Sequence, residues 1–479
     1  MRKRWLALAT PCLVGCAVGP DFHRPAAPTD RAYTPEPTTD TVAADGNAQH
    51  FVEGEKVVAD WWQLLECPKL DAIVSQALAA NPGLESARAS LGKSQDGLRA
   101  GYGVFLPQAN ASAGASRQRY NPAPGSLPSN TFNLFSLSGT ISYALDIWGG
   151  ERRTVEGLRA QVDEQRYALA GTYVMLTGNI VDAVIAQAAY RDQIEATSAA
   201  IALEREQLRI TEAQATGGTV PYANVLSIQS QIASTEATLP PLEEKVDQAA
   251  HLLAALSGRT PGEWQQPRLA LGDLKLPRAV PVTLPSELVR QRPDILVAEG
   301  ALHAANAGIG VATAAMLPSL TLSAGYGMNS TSPGSVLASN SLFWSLGAGL
   351  MQPVFRGGAL YYQRKAAIDA RDEAAADYRQ TVLGAFQQVA DTLRGLQHDA
   401  DALAAQTEAV ETAERALHLI QANYQAGIAT YLQVIVADEQ YLQAKIGYVE
   451  SVAQRLQDTV ALYVALGGGW WNTPAASRG

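Results

Sequence analysis

The sequence predicts a mainly α-helical chain with a minor share of membrane β-structure, in which one helix–hairpin–helix–helix unit occurs twice. Three observations predict it. Residue matches recur in order about 210 positions apart. Apolar residues repeat at threes, fours and sevens over very long stretches. Three long windows hold no Asp, Glu, Lys or Arg, yet alternate apolar with small polar residues.

The elements follow in chain order. Arg2, Lys3 and Arg4 open residues 1–15, and Trp5 to Val14 is an apolar run too short to span a bilayer. This is the pattern of a secretory signal peptide. It ends Leu13-Val14-Gly15-Cys16, which resembles the bacterial lipobox, so cleavage before Cys16 and a covalent lipid on its thiol are expected. Losing the leader takes the formal net charge from −10 to −13. An Asp after the acylated Cys would suggest retention at the inner membrane; Ala17 leans towards the outer one. Residues 16–60, rich in Pro, Thr, Ala and Asp, are expected to form an extended strap. Without Cys12 and with Cys16 acylated, Cys67 has no intrachain partner and is expected to pack as a small apolar side chain.

The first repeat covers 61–258, with strands at about 106–119 and 132–147 and long helices at about 154–216 and 219–257. A linker, 259–284, leads to the second repeat, 285–468, with strands at about 317–329 and 341–355 and long helices at about 359–426 and 429–466. Residues 469–479 are a tail. Pro82, Leu106-Pro107 and Ala113-Gly114 match Pro293, Leu317-Pro318 and Ala324-Gly325 at a common offset of 211. Further on, Gly149-Gly150 matches Gly357-Gly358, Gly218 matches Gly427, and Tyr222 matches Tyr431. So long a period marks a duplicated domain rather than a solenoid.

Val155, Leu158, Val162, Leu169, Tyr173, Leu176, Ile180 and Val184 step along one helical face. Ile435, Leu442, Val449, Leu456 and Tyr463 recur every seven residues, with Ile446, Ala453 and Val460 beside them, as in a coiled-coil seam. At about 1.5 Å per residue, the first long helix would run roughly 90 Å. Gly217-Gly218 and Gly427 are expected as inter-helix turns, and Pro240-Pro241 as a kink within 219–257.

The uncharged windows are 100–116, 120–145 and 300–355, and no 18-residue stretch reads as a transmembrane helix. In 135–147, Phe135, Leu137, Ile141, Tyr143 and Leu145 oppose Ser136, Ser138, Thr140 and Ser142. Ala109, Ala111, Ala113 and Ala115 oppose Gln108, Asn110 and Ser112; 319–328 and 342–354 alternate likewise. These are four strands of bilayer-crossing length, joined by outer turns at 120–131 and 329–341. A soluble sheet would carry charges on its wet face. Four strands are too few to close a barrel, and open edges are not tolerated in lipid, so several copies must associate.

The chain resembles the TolC/OprM-like outer-membrane efflux proteins, in particular the NodT branch of lipoproteins serving pumps of the resistance-nodulation-division class. Cys16-Ala-Val-Gly-Pro-Asp-Phe-His-Arg-Pro25 is similar to the branch's mature start, and Asp146-Ile147-Trp148-Gly149-Gly150 with Arg152-Arg153 to its strand-to-helix turn. Arg290, Arg292-Pro293-Asp294-Ile295, Ala298-Glu299, Ala305-Asn306, Ile309-Gly310-Val311 and Leu317-Pro318-Ser319-Leu320 carry its most specific motifs. The resemblance implies a homotrimer in the outer membrane, lipid-anchored, with a twelve-stranded barrel joined to a long periplasmic α-helical barrel. It implies a periplasmic adaptor and an inner-membrane pump as partners. It implies no chemistry in the duct and no cofactor beyond the lipid on Cys16. In the family a periplasmic gate follows the last helix turn and is often ringed by acids. Those positions are Gln433 and Val436 here, so a less cation-selective gate is expected. Asp438 and Glu439 close by either supply the charge or lie on a solvated face.

Three other readings remain. Six dispersed histidines form no metal spacing, nucleophile elbow or phosphate loop, which disfavours an enzyme. A coiled-coil lipoprotein scaffold would explain the anchor and heptads, but not the uncharged windows. A duct for protein secretion by an ATP-driven pump would differ in its partners. Net charge −10 excludes the basic face that nucleic-acid binding needs.

Overall fold

The computed structural model describes residues 17–472, apart from 31, 37–39, 121–129 and 265–266. The leader, Cys16 and residues 473–479 lie outside the described residues, as does most of the outer turn expected at 120–131. In chain order the regular elements are β1 (His50–Glu53), α1 (Pro68–Ala80), α2 (Pro82–Gly101), β2 (Gln108–Tyr120), β3 (Asn130–Leu145), α3 (Gly150–Thr216), α4 (Tyr222–Glu236) and α5 (Leu239–Leu256). Then come β4 (Ala279–Val282), α6 (Pro285–Leu288), α7 (Pro293–Ala314), β5 (Ser319–Ser330), β6 (Leu342–Met351), α8 (Ala359–Gln425) and α9 (Tyr431–Ala465). The chain is mainly helical, and α3 and α8 each run for 67 residues. It divides into two compact units.

The first unit comprises residues up to Pro25, Ser90–Arg166 and Val297–Arg379. It contains an antiparallel sheet in the order β2-β3-β5-β6, in which the hairpin of one repeat pairs with that of the other. The sheet does not close on itself within one chain: β2 and β6 are its edges. The α3 start is set by Asp146, whose carboxylate accepts the backbone N–H of Glu151 (3.1 Å) and Arg152 (3.1 Å) and pairs with Arg152 Nε (3.0 Å). An acceptor there satisfies donors that a helix start leaves unpaired. Small residues allow close helix approach, with Gly300 facing Ala160 and Glu164, and Gly150 facing Ala314.

The second unit comprises Ala26–Ala89, Tyr167–Leu296 and Gln380–Gly479. Its core gathers Ile180, Val181, Val184 and Ile185 of α3, Val389, Leu393 and Leu396 of α8, and Leu456, Val460 and Tyr463 of α9. Trp61 stacks on Tyr463 at 5.4 Å between ring centroids. Cys67 is buried nearby in the sequence. The seven-residue seam of α9 is buried from Val449 onwards and half-buried at Ile435 and Leu442. Arg292 fixes the C-terminal end of that helix. It donates to the carbonyl of Ala465 (2.8 Å), grips both oxygens of Asp294 (2.9 and 2.7 Å) and reaches Gln388 (2.9 Å).

Four expectations need correction. The strap over 16–60 is partly packed: β1 pairs in parallel with β4, so the linker 259–284 also contributes a strand. Buried Arg455 of α9 draws the strap in, donating to Gln49 Oε1 (3.2 Å), Thr41 Oγ1 (3.1 Å) and the Asn47 carbonyl (3.2 Å). A buried guanidinium must find acceptors, and the strap supplies them. The helix expected over 219–257 is two helices, α4 and α5, which part at Ala237–Thr238. Pro240 and Pro241 lack N–H groups and their rings crowd the carbonyls one turn earlier, so the break precedes them. Finally, α3 and α7 are long and apolar enough to cross a membrane by composition. Their apolar residues serve helix packing, with about half of each such window buried inside the chain.

Candidate functional site

The sheet sorts its side chains onto two faces, because residues directly opposite in an antiparallel pair point the same way. Ala109, Ala111, Ala113 and Ala115 stand opposite Ile141, Gly139, Leu137 and Phe135. Ile141, Gly139 and Leu137 stand opposite Ala324, Tyr326 and Met328, which in turn face Leu346, Trp344 and Leu342. This face is apolar across all four strands, and Trp344 (69%), Leu346 (76%) and Leu350 (71%) are largely exposed in the single chain. The other face carries Asn110, Ser112, Ser138, Thr140, Ser323 and Ser345, some linked across strands, as Ser112 and Ser138 are at 3.0 Å. On β3 the apolar face runs from Phe135 to Leu145. At a strand tilt of about 40°, those ten steps rise roughly 26 Å, close to the apolar band of an outer-membrane barrel, about 25 Å tall.

Beyond that band the alanine face turns polar. Arg117 and Arg119 continue the alanine face of β2, opposite Asn133 and Thr131. On the opposite face Leu134 and Phe132 stand beside Ser116 and Gln118, and Phe343 stands beside Gly327 within the band.

The described residues begin in a polar seat. Val18 donates its N–H to the Trp148 carbonyl (2.9 Å). Arg153, at 5% exposure, donates to the Val18 carbonyl (3.2 Å), the Gly19 carbonyl (3.4 Å) and Asp21 (2.7 Å). Asn306 donates to the Pro20 carbonyl (3.0 Å), and Phe22 stacks on His303 at 4.1 Å. Gly19 has a left-handed φ of 92° and lies against Gly310; a methyl group on either would overlap neighbouring backbone. Arg153, Asn306 and Gly310, quoted above for their resemblance alone, thus converge on the segment next to Cys16. Their convergence is not legible from local sequence, since it joins positions some 130 to 290 residues apart.

The two inter-helix turns have one geometry. Thr219 N–H reaches the Gln214 carbonyl (2.9 Å) and Gly218 N–H the Ala215 carbonyl (3.0 Å). Likewise Ile428 reaches Asn423 (2.8 Å) and Gly427 reaches Tyr424 (3.0 Å). Both are Schellman turns with a glycine in the left-handed region, φ 71° at Gly218 and 74° at Gly427.

The three candidate gate residues have different environments. Gln433 Oε1 accepts the backbone N–H of Thr430 (2.7 Å) and its hydroxyl (3.1 Å), so this side chain caps α9. Val436 is 44% exposed and lies one helical turn beyond Leu432, at 68%; Ile428, at 77%, is in the turn before α9. Leu432 carries no charge to single it out; the signal it offers is its spacing of four from Val436. Asp438 is neither exposed nor solvated, lying buried in α9 and facing Glu204 of α3. Burial, then the Glu204 charge, pushes Asp438 up to about 7. Glu204 is raised chiefly by burial, opposed by a hydrogen bond from Thr235 Oγ1 (3.0 Å). A second acidic cluster joins the same helices. Asp182 of α3 is pushed up to about 7 by burial and by Asp458 of α9, and Asp399 of α8 to about 7 by burial and a shared hydrogen bond with Asp458.

A sequence model of the family described as outer membrane efflux protein matches residues 73–259 and 284–468, one stretch on each repeat. The chain is 30% identical over 449 residues to the pyoverdine export outer membrane protein OpmQ of Pseudomonas aeruginosa, spanning 91% of this chain and 94% of that one. It is 28% identical over 484 residues to nodulation protein T of Rhizobium leguminosarum bv. viciae, spanning 99% and 95%. Its fold is similar to that of the outer-membrane channel OprN, with a TM-score of 0.86 and 25% identity over 95% of this chain and all of that one.

Proposed function

We propose that this chain, which belongs to the outer membrane efflux protein family, acts as a trimer whose three sheets join edge to edge into one twelve-stranded barrel. The protein is an outer-membrane efflux channel. The observation that carries the trimer is the open sheet. Two unpaired edges flank an apolar face of bilayer height, and neither is tolerated in lipid without further strands. The long helices line the periplasmic part of the duct. A periplasmic adaptor and an inner-membrane pump of the resistance-nodulation-division class load it, and the pump supplies the energy. The duct conducts small molecules passively; the chemistry in OpmQ's name, pyoverdine export, fits such a cargo. Gly218 and Gly427 form the turns at the entrance. Ile428, Leu432 and Val436 form its apolar gate row, in place of a charged ring. A lipid on Cys16 tethers the chain, with the Val18–Phe22 seat fixing where that lipid enters the membrane.

Native mass in mild detergent, followed by conductance in planar bilayers, tests this. A mass of three chains with discrete conductance supports it. A monomer that leaves the membrane once Cys16→Ser removes the acyl site overturns it in favour of a tethered scaffold.

A further inference from the structure

Arg117 and Arg119 are the only charged side chains in β2, β3, β5 and β6 together. Both lie on the apolar face, in register with Asn133 and Thr131 and in line with Ala109 to Ala115. A guanidinium on a lipid-facing wall costs several kcal/mol at mid-bilayer and little at its boundary. Height decides between the two. Arg117 stands eight residues beyond Ala109, roughly 21 Å along the membrane normal at the usual strand tilt. The apolar face of β3 ends at the same level, between Phe135 and Asn133. The end is the outer one, because β2 leaves the helix that ends at Gly101 and runs away from it, from Gln108 to Tyr120. The change of pattern on the opposite face of β3, where Leu134 and Phe132 follow Ser138 and Ser136, marks the same level.

We propose that Arg117 and Arg119 form a binding site for the phosphate of a phosphorylated lipid headgroup in the outer leaflet. The proposal rests on the reading of the four strands as bilayer-spanning. Two residues apart on one strand, the guanidiniums emerge about 7 Å from each other on one face. Each offers a planar fork of donors that matches phosphate oxygens, which a lysine ammonium does not. Asn133 and Thr131 add neutral polar groups beside them. The lipid's acyl chains would lie over Ala109 to Ala115, whose methyl groups leave a shallow trough along the sheet edge beside the bulkier face of β3. In a trimer the site recurs three times around the rim and holds the barrel at a fixed depth.

The test is native mass spectrometry of the full mature protein in mild detergent. The protein is incubated with bis-phosphorylated lipid A, with enzymatically dephosphorylated lipid A, or with inorganic phosphate. Wild type is expected to retain the bis-phosphorylated lipid. R117Q/R119Q should lose at least about tenfold in retention, as for two charge-assisted hydrogen-bonded pairs, and R117K/R119K should recover part of it. Inorganic phosphate at millimolar concentration should neither bind nor compete. Equal retention by R117Q/R119Q, or equal binding of dephosphorylated lipid A, overturns the proposal. Binding of inorganic phosphate alone would make this an anion site and overturn the lipid assignment. Both arginines are exposed, so R117Q/R119Q should keep its trimeric mass and conductance. A wild type that neither trimerises nor conducts removes the membrane reading and this site with it. A conducting wild type that holds lipid A no better than R117Q/R119Q removes the site alone.

Discussion

Asp438 illustrates what a single residue owes to its surroundings. In the sequence it sits among Val434, Ala437 and Glu439, and polarity alone places it on the wet side of α9. In the fold it is buried against another acid, Glu204, which lies 234 positions earlier. No local pattern encodes that pairing. Its folded value of about 7 lies above the ordinary 3.8, so the native chain holds this proton more tightly than the unfolded chain does. The stabilisation is complete below the ordinary value and is lost as pH rises through about 7. Between those limits the slope is on the order of 1 kcal/mol per pH unit. Asp438→Asn, which keeps the shape and cannot ionise, should flatten the fall in thermal midpoint between pH 5 and 8. It should also unfold at a higher temperature than wild type at pH 8. A mutant curve parallel to that of wild type would show that the Asp438 proton contributes nothing. Arg455 and Arg292 were equally silent as sequence. The first is buried by a strap that reads as extended, the second by a helix end 173 residues away.

Among elements, legibility followed period. The long helices and the four strands of the larger sheet announce themselves through sevens and twos, sustained over enough residues to be unambiguous. Strands β1 and β4 are four residues each and have no room for an alternating pattern, so they were invisible. The break between α4 and α5 was visible in Pro240-Pro241, but displaced, because proline disrupts the turn before itself. The twin turns could be read from their glycines. Their left-handed backbone costs a residue with a Cβ roughly 1–2 kcal/mol. Gly218→Val and Gly427→Val should each lower the thermal midpoint by a few degrees, with additive effects in the double variant. No change in either single variant would mean that the turn can close with φ below zero.

At the scale of the molecule, duplication explains why one chain supplies two hairpins in one sheet and two identical helix turns. It also leaves each chain with a sheet that has two edges and no closure. That shortfall predicts association but not the number of copies, since sheet edges carry no count. Leu134, Phe132 and Phe343 have a consequence for the molecule as a conduit. In the proposed trimer the face that carries hydroxyls and amides lines the bore, and a column of water can wet it. Leu134 and Phe132, beside Ser116 and Gln118, and Phe343, beside Gly327, replace part of that polar lining with hydrocarbon. A hydrated ion passing them loses some of its partners, whereas a greasy solute with a few polar groups exchanges one apolar contact for another. Phe132→Ser combined with Phe343→Ser should therefore raise salt conductance in planar bilayers, and an unchanged value would mean that the collar stays wet. The exit would then work as a brief drying step: a duct that admits water along most of its length, but releases most readily the molecules that need water least.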